Sequence, residues 1–212
     1  MTQRAKPRRV TKRRAETRQR LLDAATEVFA DEGFGRASVE DVCARAGYTR
    51  GAFYSNFVSL DEMFLAMWEQ RTEVLLRSAA EAIEATEREP VATLEEGIDR
   101  VLDVAVVDEA WYRVQSEFTA HALRTPGLRR VLADREARIA ELLLPFLERA
   151  LAQVGRRMLD REAFVAALVA VHEGTAGQVL VEPDNPVVRE RRRKLFLAVV
   201  DSYTETDARG RA

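Results

Sequence analysis

The chain has 212 residues, of which 47% are hydrophobic and 32% charged, a composition that favours one or two globular domains. No apolar run approaches the about 18 residues of a membrane span, and the basic N-terminus lacks the apolar segment of a signal peptide, so neither is predicted. A single cysteine excludes an internal disulfide framework and fits a reducing, cytoplasmic location.

Charge is distributed unevenly along the chain. Residues 1–20 hold nine Arg or Lys against one Glu, a local charge of +8, and the total of -2 therefore leaves -10 for the other 192 residues. A basic arm on an acidic body predicts a local contact with a polyanion. Residues 1–10 have no periodicity and are predicted to be a disordered basic arm, and a purely solubilising tail is the alternative.

The hydrophobic spacing predicts nine helices and no strand, and hence an all-α fold. The first helix is expected from about residue 11 to a stop at Gly33. Ser38 is predicted to cap the second helix, with Asp41 as a weaker form of the usual capping-box acid, and Gly47 to end it. Thr49 can cap a third helix.

The later helices follow from capping residues and prolines. Two S/T-x-x-E capping boxes, at residues 59–62 and 93–96, predict helices that begin at about 60 and 94. Pro145 lies inside a long apolar stripe and predicts a kink. The remaining predicted caps are Asp108, Asp160 and Asn185, the last followed by Pro186 at the first helical position.

Four segments of this pattern resemble the N-terminal motif of the TetR family of bacterial transcriptional regulators. They read LLDAATEVFADEGF at 21–34, SVEDV at 38–42, AGYTRGAFYSNF at 46–57 and SLDEMF at 59–64. The resemblance implies an N-terminal DNA-binding domain, a C-terminal helical domain for ligand binding and dimerisation, and a homodimer that releases DNA when a small molecule binds. It departs from the family at Leu60, where members often carry a phosphate-binding lysine.

The predicted domains follow from these boundaries. Residues 1–10 form the arm, residues 11–58 a helix-turn-helix domain, residues 59–205 the ligand-binding and dimerisation domain, and residues 206–212 a flexible tail. Beyond residue 70 the resemblance depends only on the number and lengths of the helices.

The second helix of the helix-turn-helix is expected to enter the DNA major groove. Arg50 lies where a side chain can bond O6 and N7 of guanine, Gly51 would allow a close approach to DNA, and Tyr54 points away from the core side. A solvated surface arginine, a tolerated glycine and a packed tyrosine are the respective alternatives. The predicted DNA-binding residues are Arg8, Arg9, Lys12, Arg13, Arg36, Ser38, Thr49, Arg50, Gly51, Tyr54, Ser55 and Asn56.

A cavity between amphipathic helices is the expected effector site. Its predicted lining is Trp68, Trp111, Gln115, Phe118, His121 and His172, for each of which an ordinary core role is the alternative. Residues 174–177, with their two glycines, and the last helix predict a homodimer interface. The basic run at 189–194 is interpreted as a solvated or salt-bridged face rather than a second nucleic-acid site.

The predicted function is that of a dimeric repressor, released from a palindromic double-stranded DNA operator by a small hydrophobic or amphipathic effector. A ligand-independent DNA-binding protein and a transcriptional activator are the alternatives, and a helical enzyme with a DNA-binding-like domain is a third. No metal motif, P-loop, dinucleotide fingerprint or catalytic constellation is recognisable, so neither an enzyme nor a cofactor is predicted, and no membrane partner is expected.

Overall fold

The structure, a computed structural model, describes residues 12–207, without the side chain at position 87. The predicted basic arm, with Arg8 and Arg9, and residues 208–212 of the predicted tail lie outside the described residues. The helices are α1 Lys12–Glu32, α2 Val39–Ala46, α3 Arg50–Tyr54, α4 Leu60–Arg88, α5 Leu94–Val104, α6 Glu109–Arg124, α7 Leu128–Gln153, α8 Arg161–Val181 and α9 Pro186–Tyr203. The nine-helix prediction is confirmed for the part of the chain that the structure describes.

The prediction of no strand is wrong. Strands β1 Arg156–Met158 and β2 Thr204–Thr206 pair antiparallel, with Arg157 opposite Glu205. Three residues are too few to show an alternating pattern, and the pairing is stabilised by contacts between distant residues, such as the bond of 2.7 Å that Arg156 Nε donates to Thr204 Oγ1. Thr206, assigned to the flexible tail, therefore belongs to a strand.

The helix starts are set by the capping residues that the sequence predicts. Ser38 Oγ accepts a bond of 3.2 Å from the Asp41 amide, while Asp41 Oδ2 accepts one of 2.9 Å from the Ser38 amide, so the aspartate completes a full capping box. The bond that the Ser38 hydroxyl donates to the carboxylate, and to a smaller extent the one from the Ser38 amide, lower the pKa of Asp41. Helix α7 is continuous through Pro145, and the kink expected there stays a prediction.

The chain divides into two compact units. Of the described residues, the first unit holds 12–70 together with Arg113–Phe118, and the second holds Arg71–Tyr112 and 119–207. The sequence places a domain boundary at residue 58, and that division, with the roles attached to it, stays a prediction.

The first unit has an aromatic core. Helix α1 packs on α2, and α2 packs on α3. The rings of Phe64 and Phe118 stack with centroids 3.9 Å apart, and Phe34 meets Phe118 edge-on at 5.2 Å. Arg113 donates a bond of 2.5 Å to the carbonyl of Ala30, which attaches this part of α6 to α1. The unit is thus a packed support for the short helix α3.

The second unit is built around α5, α7, α8 and α9. Its core consists of Ile98, Leu151, Phe164, Leu168, Phe196 and Val200. By length and composition, α8 could also cross a membrane, a criterion that the core helix of a globular protein can meet as well. The expected absence of a membrane partner therefore stays a prediction.

Candidate nucleic-acid interface

Helices α2 and α3 are joined by a tight left-handed turn. Gly47 has φ 70° and donates to the carbonyl of Ala44 at 3.3 Å, which ends α2 without the steric penalty of a side chain. Thr49 Oγ1 then accepts a bond of 3.3 Å from the Ala52 amide and starts α3. This is a helix-turn-helix arrangement, in the segment where the sequence predicts one.

Helix α3 has one buried and one exposed side. Phe53 is buried on the inner side and packs against Phe57, which is buried just beyond the end of the helix, with ring centroids 5.8 Å apart. Arg50 and Gly51 are exposed, and Tyr54 is 50% exposed on the same outer side. The two phenylalanines fix the orientation of the helix, so the outer residues form a defined edge.

Arg50 is held by two neighbours. Its Nη1 lies 2.7 Å from Glu40 Oε1 on α2, and its guanidinium carbon lies 5.9 Å from the centre of the Tyr54 ring. A hydrogen bond with Tyr54 and the negative charge of Glu40 both raise the pKa of Arg50. The guanidinium therefore lies between a carboxylate and an aromatic ring, and stays exposed to solvent.

Gly51 needs no special backbone conformation. Its φ is not positive, and a Cβ added there would contact only Thr49 Oγ1, at 3.7 Å. Nothing inside the described chain requires glycine at this position, and its role in a close approach to DNA stays a prediction.

The other predicted contact residues are placed less uniformly. Arg36 donates through Nε to the carbonyl of Glu32 at 2.6 Å, so its side chain is folded back on the end of α1. Ser55 Oγ donates to the carbonyl of Ala52 at 2.8 Å. Asn56 Nδ2 donates to that same carbonyl at 2.8 Å, while its Oδ1 is buried without a partner. Their proposed phosphate contacts stay predictions.

The start of α1 lies beside the end of α3. Arg14 Nη2 donates a bond of 2.8 Å to the carbonyl of Ser55, the C-cap residue of α3. Arg18 lies over the Phe57 ring at 5.0 Å. Lys12 and Arg13 are exposed at the same end of α1, and Lys12 lies 4.0 Å from Glu16.

Arg14 thus has a structural role that the sequence does not reveal. A cation next to the carbonyl end of a helix is favourable, so this contact stabilises the position of α3. Basic character alone does not distinguish a phosphate partner from a carbonyl partner, so the sequence does not assign Arg14 to this contact.

Cys43 is a buried residue of α2. It is 4% exposed and forms no disulfide. Burial and, to a smaller extent, the charge of Glu40 raise the pKa of its thiol. Both effects lower the fraction of reactive thiolate at neutral pH.

The predicted effector-site residues fall into several environments. Phe118 and Trp68 belong to the aromatic core of the first unit, where Trp68 meets Phe64 edge-on at 5.7 Å. Trp111 is half-buried, with the Arg71 guanidinium 5.7 Å from its ring, and Gln115 and His121 are also half-buried. Their proposed role at an effector stays a prediction.

His172, the sixth predicted effector residue, bonds to a buried arginine. Arg192, 6% exposed, donates at 2.8 Å to His172 Nδ1, at 3.2 Å to the carbonyl of Ala105 and at 3.3 Å to Thr175 Oγ1. Since an arginine can only donate, Nδ1 must be unprotonated. Burial and the neighbouring guanidinium lower the pKa of His172 to about 4.

The partners of Arg192 include no carboxylate among the described residues. Ala105 is the C-cap residue of α5, so the guanidinium lies at the negative end of a helix dipole. This arrangement joins α5, α8 and α9 inside the second unit.

A small apolar slot lies between α5, α7, α8 and α9. It offers about 40 Å³ to water-sized molecules and is lined in part by Gly97, Val154 and Leu168. Ligand pockets commonly measure roughly 300–1,000 Å³, so this slot has no room for an effector of ordinary size. None of the predicted effector residues lines it.

The basic run at 189–194 is largely paired within the chain. Arg193 Nε lies 2.7 Å from Asp99 Oδ1, Lys194 lies 3.7 Å from Glu190, and Arg189 bonds to the carbonyl of Pro183. These contacts agree with the interpretation as a salt-bridged face. Arg192 is the exception, since it is buried.

The small residues of α8 do not share one environment. A Cβ at Gly177 would lie 2.6 Å from the Tyr112 hydroxyl oxygen, so its space is occupied by a side chain of the same unit. Gly174 has nothing within 4 Å of its added Cβ, and Thr175 and Ala176 are buried. Only Gly174 leaves room for a partner helix.

Among the described residues, no group of three or more His, Cys, Asp or Glu could hold a metal ion.

The packed helix-turn-helix unit, with the exposed edge of α3, belongs to the helix-turn-helix class of DNA-binding proteins. Residues 21–67 match the family "Bacterial regulatory proteins, tetR family", and residues 90–205 match the family "BetI-type transcriptional repressor, C-terminal". The chain belongs to the TetR family of bacterial transcriptional regulators, which confirms the resemblance found in the sequence.

Individual relatives extend this comparison. The nicotine-responsive transcriptional repressor HdnoR of Paenarthrobacter nicotinovorans is 27% identical over 192 residues, which cover 89% of this chain and 94% of that protein. The transcriptional activator FasR of Mycolicibacterium smegmatis is 34% identical over 73 residues, 34% of this chain and 33% of FasR. The solved structure of the multidrug binding protein EbrR with ethidium is 30% identical, covers 87% of this chain and 98% of EbrR, and has a TM-score of 0.62.

Proposed function

We propose that this regulator is a homodimeric repressor that reads a palindromic operator through α3 and leaves it when a small hydrophobic or amphipathic effector binds. The main support for this proposal is the exposed edge of α3, formed by Arg50, Gly51 and Tyr54. The buried side chains of Phe53 and Phe57 hold the helix in place on its other side. An arginine at this edge can form two hydrogen bonds with guanine, which favours guanine over the wrong base by roughly 1–3 kcal/mol. The similarity to repressor C-terminal domains supports the assignment as a repressor.

The homodimer part of the proposal is supported by apolar side chains on α8 and α9. Val181 at the end of α8 is 81% exposed, and on α9 Val187 is 61% and Leu195 40% exposed. A second copy of the same face would cover them in an isologous interface. Such a dimer would place two α3 helices on half-sites about 34–36 Å apart, which is why we expect a palindromic operator.

Light scattering tests the dimer directly. Val187→Glu should shift the molar mass toward the monomer, because the new carboxylate would be buried at the interface. Val106→Glu is the matched control, since Val106 is 67% exposed on the connection between α5 and α6. A monomeric wild-type protein, or equal effects of the two substitutions, would contradict the interface.

Effector binding and DNA binding would be thermodynamically linked, because each ligand prefers a different form of the protein. A ligand that binds the DNA-incompetent form about 100-fold more tightly than the DNA-bound form lowers operator affinity by the same factor, about 2.7 kcal/mol. HdnoR is named for its response to nicotine and EbrR was solved with ethidium, which supports an aromatic, nitrogen-containing effector class for this chain.

The decisive experiment selects operators from a random duplex library with the full chain. Binding to the enriched duplex and to the chain's own upstream DNA is then measured by fluorescence anisotropy, with nicotine, ethidium and a metabolite panel. We expect a palindromic consensus and a loss of affinity with at least one compound. Failure to enrich any sequence would refute the DNA-binding proposal, and a consensus that no compound weakens would favour a ligand-independent binder.

The alternative of an activator is supported by the similarity to the activator FasR, which covers 34% of this chain. Transcript levels of the genes beside the operator distinguish the two functions. They rise in a deletion strain when the protein represses and fall when it activates.

A further inference from the structure

We propose that Glu40 is a specificity-determining residue that positions Arg50 for guanine and keeps it from binding phosphates and other bases. The inference rests on the proposed reading of DNA by α3. It assigns a role to a residue of α2 that the predicted contact set does not include.

The ion pair between Glu40 and Arg50 connects α2 and α3 on their exposed side. Glu40 lies in the first turn of α2, and Arg50 is the first residue of α3. Their charged atoms are 2.7 Å apart, although the side chains are 55% and 63% exposed. With the ring of Tyr54 near the guanidinium as well, Arg50 is oriented before DNA arrives.

The fold itself has little need of Glu40. The capping box of α2 uses Ser38 and Asp41, and Glu40 takes no part in it. An exposed ion pair contributes only about 0–1 kcal/mol to stability. A carboxylate at the start of a helix that faces DNA also repels phosphates, so this residue opposes binding unless it improves discrimination.

The pairing of Glu40 with Arg50 explains how the arginine would distinguish guanine from phosphate and from other bases. A guanidinium has five N–H donors, and the contacts with Glu40 and Tyr54 use two of them, which leaves enough donors for two further acceptors. Guanine offers O6 and N7, so Arg50 can bind it and keep Glu40. A phosphate in the same place would meet the carboxylate, and adenine would present an N–H₂ donor to the arginine. The Glu40–Arg50 pair is therefore matched to a G·C pair.

Glu27 provides the control for the charge change. It pairs with Arg45 at 3.1 Å, and Arg45 also pairs with Asp31 at 3.2 Å, away from Arg50. Glu40→Gln and Glu27→Gln each remove one negative charge, so both should strengthen general attraction to DNA equally. Only Glu40→Gln removes the partner of Arg50.

The test measures base preference for the full chain on the duplex enriched from the random library. Wild type should prefer one G·C pair in each half-site over its substitutions by roughly 5- to 150-fold. We expect Glu40→Gln, and Glu40→Ala as a second variant, to reduce this ratio at least threefold, and Glu27→Gln to keep it. In an Arg50→Ala background, Glu40→Gln should cause no further loss of preference.

Thermal unfolding of each variant separates this role from a structural one, because a melting temperature within a few degrees of wild type is expected throughout. A Glu40→Gln protein that keeps the full G·C preference overturns the role of Glu40 and leaves the proposed function intact. An equal loss in Glu27→Gln overturns it too, since the cause would then be charge alone. A wild-type protein that enriches no sequence overturns both proposals.

Discussion

Gly51 offers a test in which the stability and the DNA affinity of the protein should change in opposite directions. Gly51→Ala adds one methyl group on the exposed side of α3, where its nearest new neighbour would be Thr49 Oγ1 at 3.7 Å, an ordinary contact distance. Because the backbone there is not left-handed, alanine should stabilise the folded protein by about 0.5–1 kcal/mol through helix propensity and a less flexible unfolded chain. The same methyl should weaken operator binding at least tenfold if DNA approaches this backbone closely.

Urea unfolding and fluorescence anisotropy measure the two effects on one preparation. Gly97→Ala in α5 is the matched control, because its Cβ would lie 3.8 Å from Val154 Cγ1, again an ordinary contact. The control should gain similar stability and bind DNA like wild type. A Gly51→Ala protein with unchanged affinity would refute the close approach and leave a glycine that is merely tolerated in a short helix.

Three further predictions concern the interior. Gly33→Ala should lower the free energy of unfolding by roughly 1–3 kcal/mol in urea, because Gly33 has φ 88° and a Cβ would lie 2.8 Å from Glu117 Oε2; an unchanged midpoint would contradict this geometry. Cys43, 4% exposed and with a raised pKa, should react with a thiol reagent only after unfolding, and rapid labelling of the native protein would refute its burial. Between pH 6.5 and about 4 the unfolded chain protonates His172 while the folded chain does not, so stability should fall by up to about 3 kcal/mol as the pH is lowered through this window. His172→Gln should remove that part of the pH dependence, and a slope equal to wild type would contradict the assignment.

Helix boundaries were predictable because each depends on a few neighbouring residues. Ser38 and Thr49 cap α2 and α3 through bonds to amides three residues ahead, and Gly47 ends α2 with a positive φ. Such signals are local, so the sequence carries them. The strands were missed because the partner of Arg157 is Glu205, 48 positions away, and three residues show no periodicity.

The exposed edge of α3 was predictable for a similar reason. Phe53 in α3 and Phe57, three residues beyond its end, are spaced four residues apart, so both face the core, and Arg50 and Tyr54 lie on the other side of the helix. The pairing of Arg50 with Glu40 was not predictable, because it depends on how the turn at Gly47 brings the two helices together. The predicted contact set therefore contains Arg50 and lacks its partner Glu40.

The arginines show why charge in a sequence is a poor guide to DNA contacts. Arg14 bonds the end of α3, Arg36 bonds the end of α1, and Arg192 is buried against the end of α5, so three basic side chains meet helix carbonyls. Basic character alone does not reveal these partners, whereas packing places the three side chains at the negative ends of helices. Arg50 differs because its partner is an exposed carboxylate on the neighbouring helix, and its guanidinium stays exposed to solvent. Control of the base preference of Arg50 by Glu40 is the proposal that the Glu40→Gln variant tests.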